Sequence, residues 1–455
     1  VIKKRTSVIL SILFSCIFVL SACSPAATPA APAVAPSDAP AAAAPTGAPA
    51  AASAEPAAAT PVTLEYWVFS DYGQGEAGEL QKTFIAEFEA ANPGVKINIS
   101  PKNDDELSTG IVAAAASNTL PDIFMQGNDM GALDVKLGAL ENVYDRWMAL
   151  PEAFRSQFNP VMISEMMPTE KTMYGMPYTG YSSFLYRNLT ILKAAGIDPK
   201  EEVETWDQWM EQMKKIKAAG YQALPAFSDH YNDFVAMYAG AATEDEWGID
   251  WSAKKTRLNP EKYARMMQFL VDARQYGTEI GNRDQAANDL FMSNKLAYRV
   301  SGPWSNVTFA EAKKNSNLDY DYVVLPGNTA DNTAGHRGTE FIGLPPNGKN
   351  NEIAWKFIAY ICDEPQMTRW ATLLSRYNSN QTTLAKVKDT LLEVTTEGAK
   401  SALLTQPPDF SKAYPDGYGQ AILDNMAAIE SGQISPEEGA KQLVDTLNKL
   451  IAEAE

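Results

Sequence analysis

Residues 24–61 decide how the rest of this chain can fold, because they cannot themselves fold. Of these 38 residues, 19 are Ala and nine are Pro. The stretch has too few large side chains to build a core and too many prolines to hold a helix. It is expected to be an extended, semi-rigid tether, reaching on the order of 100 Å. What precedes it reads as a processing signal. Lys3-Lys4-Arg5 is basic, residues 7–20 are mostly apolar, and Leu20-Ser21-Ala22-Cys23 has the form of a bacterial lipobox. The apolar run is too short for a comfortable membrane span. Residues 1–22 are therefore expected to be a lipoprotein signal peptide. Residues 23–61 would be a lipidated Cys23 and its tether, holding an exported protein at the extracytoplasmic face of a bacterial membrane.

The formal net charge is −18, and residues 1–22 carry three positive and no negative charges, so the processed chain would stand at −21. That acidity, with no basic run outside the signal, argues against nucleic acid as a partner. Of three cysteines, Cys16 leaves with the signal and Cys23 carries lipid. Cys362 is left alone, so an intramolecular disulfide is excluded. It sits in Ile358-Ala359-Tyr360-Ile361-Cys362, an apolar helical setting that reads as inert core. The 394 residues that follow the tether exceed one ordinary core and suggest two lobes.

The pattern in 62–455 is α/β. Residues 63–69 read as a strand and 70–73 as a turn. Leu80, Phe84, Ile85 and Phe88 share one helical face that stops at Asn92-Pro93-Gly94. Val95, Ile97 and Ile99 then alternate as a strand does. Strand, helix and strand within 40 residues predict a parallel βαβ unit. A helix over 105–117 leads into a short buried strand at 121–125. Thr205 and Gln208 form a capping box, and the helix it opens turns Trp206, Trp209, Met210, Met213 and Ile216 inward. Strands are predicted over 295–300, 320–325 and 341–344, and a helix over 352–362. Ser435-Pro436-Glu437-Glu438 reads as a second capping box, followed by a stripe of Leu443, Val444, Leu447, Leu450 and Ile451.

Little in the chain points to catalysis or metal binding. Its two histidines, His230 and His336, are far apart, and there is no HExxH, no paired-cysteine site, no GxSxG elbow and no phosphate-cradling glycine loop. Asp104-Asp105-Glu106 lacks the calcium-loop spacing and reads as an acidic helix start. No cofactor and no metal are expected. What the chain offers instead is aromatic surface. Trp67, Tyr72, Tyr178, Tyr181, Tyr231, Trp247, Trp251, Trp304 and Tyr377 all lie beside breakers at strand ends. Flat aromatic faces among Asp, Asn, Gln, Glu and Arg suit the C–H faces and hydroxyl rims of sugars. For each aromatic taken singly, core packing is the competing reading.

A series of segments in order resembles the family 1 extracellular solute-binding proteins, the sugar-binding lipoproteins of ABC importers. They include Phe84-Ile85-Ala86-Glu87-Phe88, Pro93-Gly94-Val95-Lys96-Ile97, Pro121-Asp122-Ile123-Phe124 and Tyr174-Gly175-Met176-Pro177-Tyr178. After these come Phe184-Leu185-Tyr186-Arg187-Asn188, Thr205-Trp206-Asp207-Gln208-Trp209 and Ser301-Gly302-Pro303-Trp304-Ser305-Asn306. The last is the tail from Ser431 to Ala440. The resemblance implies a two-lobed periplasmic-binding-protein-like fold, with a hinge of crossing strands and a ligand cleft between the lobes. The N-lobe would be 62–176 plus 325–372 and the C-lobe 177–324 plus 373–455. Crossings are expected near 176–181, near Val324-Leu325 and around Leu373.

The resemblance also implies ligand contacts. These are Trp67, Ser70 and Asp71 after the first strand, Asn103 and Asp104 after the second, and Gln126, Asn128 and Asp129 after Pro121-Asp122. The first hinge supplies Tyr178 and Tyr181, and Trp304 would stack on a sugar ring. Glu340, Arg376 and Tyr377 complete the set, with Asp229, His230 and Trp247 from a region that varies between members. The maltose binder's cleft aromatics are not reproduced in full, so its substrate does not carry over. The expected function is a monomeric, non-enzymatic, lipid-anchored receptor that captures a carbohydrate, of oligosaccharide size, and delivers it to an ABC importer permease. A second reading keeps the fold and changes the solute to a phosphodiester, polyamine, peptide or metal chelate. A third is a tethered carbohydrate-active enzyme acting through a carboxylate pair.

Overall fold

The computed structural model describes residues 61–374, 377–384, 386–404 and 414–454. The signal, Cys23 and the tether up to residue 60 lie outside the described residues. The strands are β1 (Val62–Phe69), β2 (Val95–Lys102), β3 (Ile123–Gly127), β4 (Met176–Ser182), β5 (Phe184–Asn188), β6 (Ile249–Asp250), β7 (Lys255–Thr256), β8 (Tyr298–Ser301), β9 (Tyr320–Val323), β10 (His336–Gly343) and β11 (Leu403–Leu404). They form a six-stranded sheet of order β11-β10-β3-β1-β2, with β4 also on β10, a three-stranded sheet β8-β5-β9, and the small pair β6-β7.

The βαβ unit forms as its pattern predicts. The helix Gly75–Ala91 buries Leu80, Phe84, Ile85 and Phe88, and Gly94, at φ 91°, makes the left-handed turn into β2. β2 and β3 both run parallel to β1, so their carboxyl ends share one edge of the large sheet. β10 runs antiparallel to both β3 and β4.

Two main cores lie on the two sheets. The large-sheet core gathers Tyr66, Phe124, Phe341, Phe357 and Cys362, and stacks Tyr72 on Trp370 with ring centroids 5.3 Å apart. Burial pushes the Cys362 thiol well above its ordinary range, so it is an inert packing group. The other core holds Trp206, Trp209, Phe234, Tyr263 and Met426. Trp206 stacks on Phe269 at 4.9 Å, and the helix Pro436–Glu453 adds Leu443, Leu447 and Ile451. A smaller cluster of Phe184, Tyr186, Phe291 and Phe309 covers the three-stranded sheet.

Four local expectations are corrected. Residues 70–73 are one helical turn, Ser70–Gly73, because the chain after β1 folds back under the next helix. The strand expected at 295–300 is β8, Tyr298–Ser301. The strand expected at 341–344 begins five residues earlier, at His336. Its first half, His336-Arg337-Gly338-Thr339-Glu340, is polar and reads as loop, yet it is largely buried because sheet neighbours flank it on both sides. At Ser435 only half of a capping box forms: Ser435 Oγ accepts from the Glu438 amide, while the Glu438 carboxylate accepts from Gln442 Nε2.

The chain passes from the large sheet to the small one between Ser182 and Phe184, and returns between Val323 and His336. These two passages are tied together. The Ser183 amide donates to His336 O at 2.9 Å, and the His336 amide donates to Ser183 Oγ at 2.9 Å.

Candidate functional site

A cavity of about 340 Å³ opens where three groups of elements meet. The first group is the carboxyl-end edge of the parallel strands, which supplies Phe69, Ser70 and Asp71 after β1, Asp104 after β2, and Gly127 and Asp129 after β3. This is the edge at which open α/β sheets place ligands, because loops and helix starts converge there. The second is the crossing pair, which supplies Tyr181 and Ser183 from the β4 side and His336 and Glu340 from β10. The third comes from the small-sheet half. It comprises Asn232 and Asp233 at the start of the helix Tyr231–Ala239, Arg283 and Asn288, Arg299 to Ser301 in β8, and Trp304, Ser305 and Thr308 on the helix Pro303–Asn315.

Trp304 owes its place to two neighbours. Pro303 starts the helix, where its missing N–H is no loss. Gly302 lies against the Trp304 ring, and any Cβ there would overlap it. The ring meets Tyr181 edge-on at 5.5 Å and 88°, and His336 at 6.0 Å; Tyr181 and His336 are 5.6 Å apart. Three rings from three separate chain segments thus form one wall.

The cavity is also lined by carboxylates. Glu340 is buried and accepts hydrogen bonds from the Tyr72 and Thr179 hydroxyls. Asp104 is half-exposed and pairs with Arg283, Nη2 to Oδ2 at 3.5 Å. Its pKa is raised by burial, opposed by Arg283 and reinforced by Asp105 and Asp71. Asp129 is pushed up to about 6 by burial and by the Asp104 charge, and Asp233 to about 6 by burial, against Arg283. Asp233 is 4% exposed, and its Oδ2 has no hydrogen-bond partner. His336, 3% exposed, likewise has Nδ1 without a partner. Burial and the Arg283 charge hold both His336 and His230 down to about 3, so both imidazoles are neutral near pH 7.

The residues expected at the site divide. Ser70, Asp71, Asp104, Asp129, Tyr181, Trp304 and Glu340 line the cavity. Trp67 lies under Lys102, whose Nζ stands 4.4 Å from its ring centre. Asn103 caps the helix Asp104–Ser117, its Oδ1 accepting from the Glu106 amide at 2.9 Å. Gln126 and Asn128 are buried, accepting from the Gly127 and Thr339 amides respectively. Tyr178 is buried in the large-sheet core against Tyr72 and Trp370; it stands three residues before Tyr181, and side chains at odd spacing on a strand point to opposite faces. Asp229 stands behind the cavity and accepts from the Arg283 amide at 3.1 Å. His230 caps the helix Tyr231–Ala239 through Nδ1. Trp247 is buried and donates to Leu404 O. Arg376 lies outside the described residues. Asp233, Arg283, Arg299 and His336 are lining residues that the sequence reading did not single out. The polar run Asp229-His230-Tyr231-Asn232-Asp233 before an apolar helix was the available signal for the first.

Tyr377 faces a second cavity, of about 740 Å³, behind β4 and β10. There Arg337 bridges Glu165 at 2.7 Å and Glu244 at 2.6 Å, Thr339 Oγ1 donates to Glu165 at 2.6 Å, and Asn159 Nδ2 donates to the Tyr377 hydroxyl at 2.8 Å. Tyr181 lines both cavities. Among the described residues no group of His, Cys, Asp and Glu has a metal-holding arrangement, and no helix is long and apolar enough to cross a membrane.

The family model described as bacterial extracellular solute-binding protein matches residues 83–392. An sn-glycerol-3-phosphate-binding periplasmic protein of Brucella abortus is 29% identical over 149 residues, 31% of this chain and 34% of that one. The chain spans less than two thirds of the length of such curated relatives. Among solved structures, the GacH receptor of Streptomyces glaucescens, studied unliganded and with acarbose, aligns with a TM-score of 0.74 at 19% identity, covering 86% of this chain and 99% of that one. The Thermus thermophilus maltotriose-binding protein with maltotriose aligns at 0.70 and 17%, covering 85% and 100%. At these identities the likeness is one of fold.

Proposed function

Starting from the premise that this chain belongs to the bacterial extracellular solute-binding proteins, we propose that it captures a carbohydrate in the cleft between its two sheets and delivers it to an ABC importer. The observation that carries this reading is the wall of Tyr181, Trp304 and His336 in a cavity also lined by carboxylates and amides. Aromatic faces take the C–H side of a sugar ring while carboxylates and amides accept its hydroxyl protons. The similar folds of the maltotriose-binding and GacH proteins support it.

On this reading residues 62–176 with 325–372 and residues 177–324 with 373–455 are two lobes. They close on the solute by rotation about the paired crossings at Ser183 and His336. Cys23 and the tether hold the protein at the membrane in reach of the permease. A second reading, glycerol phosphate as solute, follows from the Brucella abortus relative's name.

The deciding experiment is a thermal-shift screen of the purified protein against saccharides, amino acids, polyamines and glycerol 3-phosphate. A solute that binds only the folded state stabilises it by about 2.7 kcal/mol at a hundredfold excess over Kd. Stabilisation by a saccharide that is recovered intact is the expected result. Stabilisation by glycerol phosphate alone selects the second reading, and turnover of a glycan overturns both.

A further inference from the structure

We infer that Gly338 is a positioning residue of the cleft: because it carries no side chain, the ring of Tyr181 can lie across β10 and complete the wall formed with Trp304 and His336. This rests on the reading of that cleft as the solute site, and adds to it a residue that does not itself line the cavity.

Tyr181 and Gly338 are direct partners in the antiparallel pairing of β4 with β10. Alternation puts His336, Gly338 and Glu340 on one face of β10, and His336 and Glu340 line the cleft. A Cβ added at Gly338 would overlap the Tyr181 hydroxyl, and would stand 2.6 Å from Tyr181 Cζ and 2.6 Å from Asn128 Oδ1. The ring therefore lies over the bare backbone of residue 338. In that position it meets Trp304 at 5.5 Å and His336 at 5.6 Å.

The backbone of residue 338 does not call for glycine, since its φ is not left-handed. A glycine inside a strand weakens it and marks the close approach of another group. Here that group is the tyrosine ring. The obstructing atoms cannot yield freely. Tyr181 is 9% exposed, with its ring packed against two others, and Asn128 is 5% exposed, with Oδ1 accepting from the Thr339 amide at 3.3 Å. A side chain at 338 therefore has to tilt the Tyr181 ring, and the tilt changes the wall. The same arrangement recurs under Trp304, whose ring lies against Gly302. Both large rings of the wall are seated on glycine.

The test uses the whole chain with 5-fluorotryptophan in place of its nine tryptophans. The Trp304 fluorine resonance is assigned by its loss in Trp304→Phe. With no solute present, Gly338→Ala should move that resonance and leave the others in place. Tyr181→Ala should move it too, and Gly338→Ala added to Tyr181→Ala should move it no further. Isothermal titration with maltotriose, cellotriose and glycerol 3-phosphate reads the consequence. For whichever of them the parent binds, Gly338→Ala should weaken affinity about tenfold, and should weaken it little further in the Tyr181→Ala background. A Trp304 resonance that stays put, an unaltered affinity, or losses that add in the double variant each overturn the proposal. If Gly338→Ala does not fold, recovery of folding in the double variant supports the seating of Tyr181, and its failure overturns it. Binding of glycerol 3-phosphate alone, with the two variants still coupled, overturns the carbohydrate reading and upholds Gly338. Should none of the three bind, that result counts against the carbohydrate reading, and the fluorine shifts alone uphold or overturn the role of Gly338.

Discussion

The two cavities on either side of β4 and β10 differ in a way that size misrepresents. The one behind the strands measures about 740 Å³ and the cleft about 340 Å³. Behind the strands, however, the polar groups answer one another: Arg337 joins Glu165 to Glu244, Thr339 supports Glu165, and Asn159 holds Tyr377. Among the described residues, no side chain lining that space has a buried polar atom without a partner. In the cleft, Asp233 and His336 both do. A cavity that completes its own hydrogen bonds has no chemical demand for a ligand, whereas one that leaves buried acceptors open does. On the proposed reading, unmet hydrogen bonds mark the ligand side of these strands better than volume does.

The largest test of this contrast lies on the self-satisfied side. Arg337→Ala would leave the Glu165 carboxylate buried without its cation and should lower unfolding free energy by about 3 kcal/mol, read from a urea midpoint. A loss no larger than that of an exposed ion pair would show that the back cavity is not internally balanced.

Next is Trp304→Ala, which removes ring surface that a sugar would cover. It should weaken saccharide binding by about 1.5–3 kcal/mol while leaving the thermal midpoint of the free protein nearly unchanged. Unaltered affinity would remove Trp304 from the binding wall.

The third concerns pH. Asp233 has a folded-state pKa of about 6, above its ordinary value. Its neutral form stabilises the fold fully below the ordinary carboxylate range, and that stabilisation is lost as pH rises through 6. His230 and His336, held at about 3, act in the opposite sense: their contribution is present above pH 6.5 and is lost on acidification. The raw stability curve mixes the two, so the informative quantity is the difference between Asp233→Asn and the parent. That difference should move in favour of the variant by on the order of 2 kcal/mol between pH 4 and pH 8. A flat difference would mean that Asp233 is not strained.

The smallest effect belongs to Lys314, whose exposed pair with Glu76 at 3.3 Å joins the helices Pro303–Asn315 and Gly75–Ala91. Lys314→Ala should leave stability and affinity within experimental error, since such pairs are screened by solvent and salt.

Much of the large sheet was legible because β1, β2 and β3 are parallel strands whose apolar pattern and breakers follow local rules. The cleft residues that sequence reasoning reached, such as Asp71, Asp104 and Asp129, follow those strands directly. It failed where burial and polarity coincide. The first half of β10 looks like a loop, so His336 was invisible as a wall residue. Tyr178 and Tyr181 stand three apart on one strand, so alternation sends them to opposite faces, but which face is core and which is cleft is set by the elements packed on each side. Asn103 and Gln126 carry the right chemistry but spend it on neighbouring backbone amides. Asp233 and Arg283 come from segments whose spacing to the cleft is set by tertiary packing alone.

The mutual hydrogen bonds between Ser183 and His336 have a kinetic and entropic consequence. On the two-lobe reading, backbone passages fastened side by side would act as an axle for closure. Tyr181, largely buried beside that pair, lines the cavity on each side of it. A solute that closes the cleft about such an axle would have fewer coordinates to quench. Less of its contact energy is then consumed in ordering the protein, and more appears as affinity.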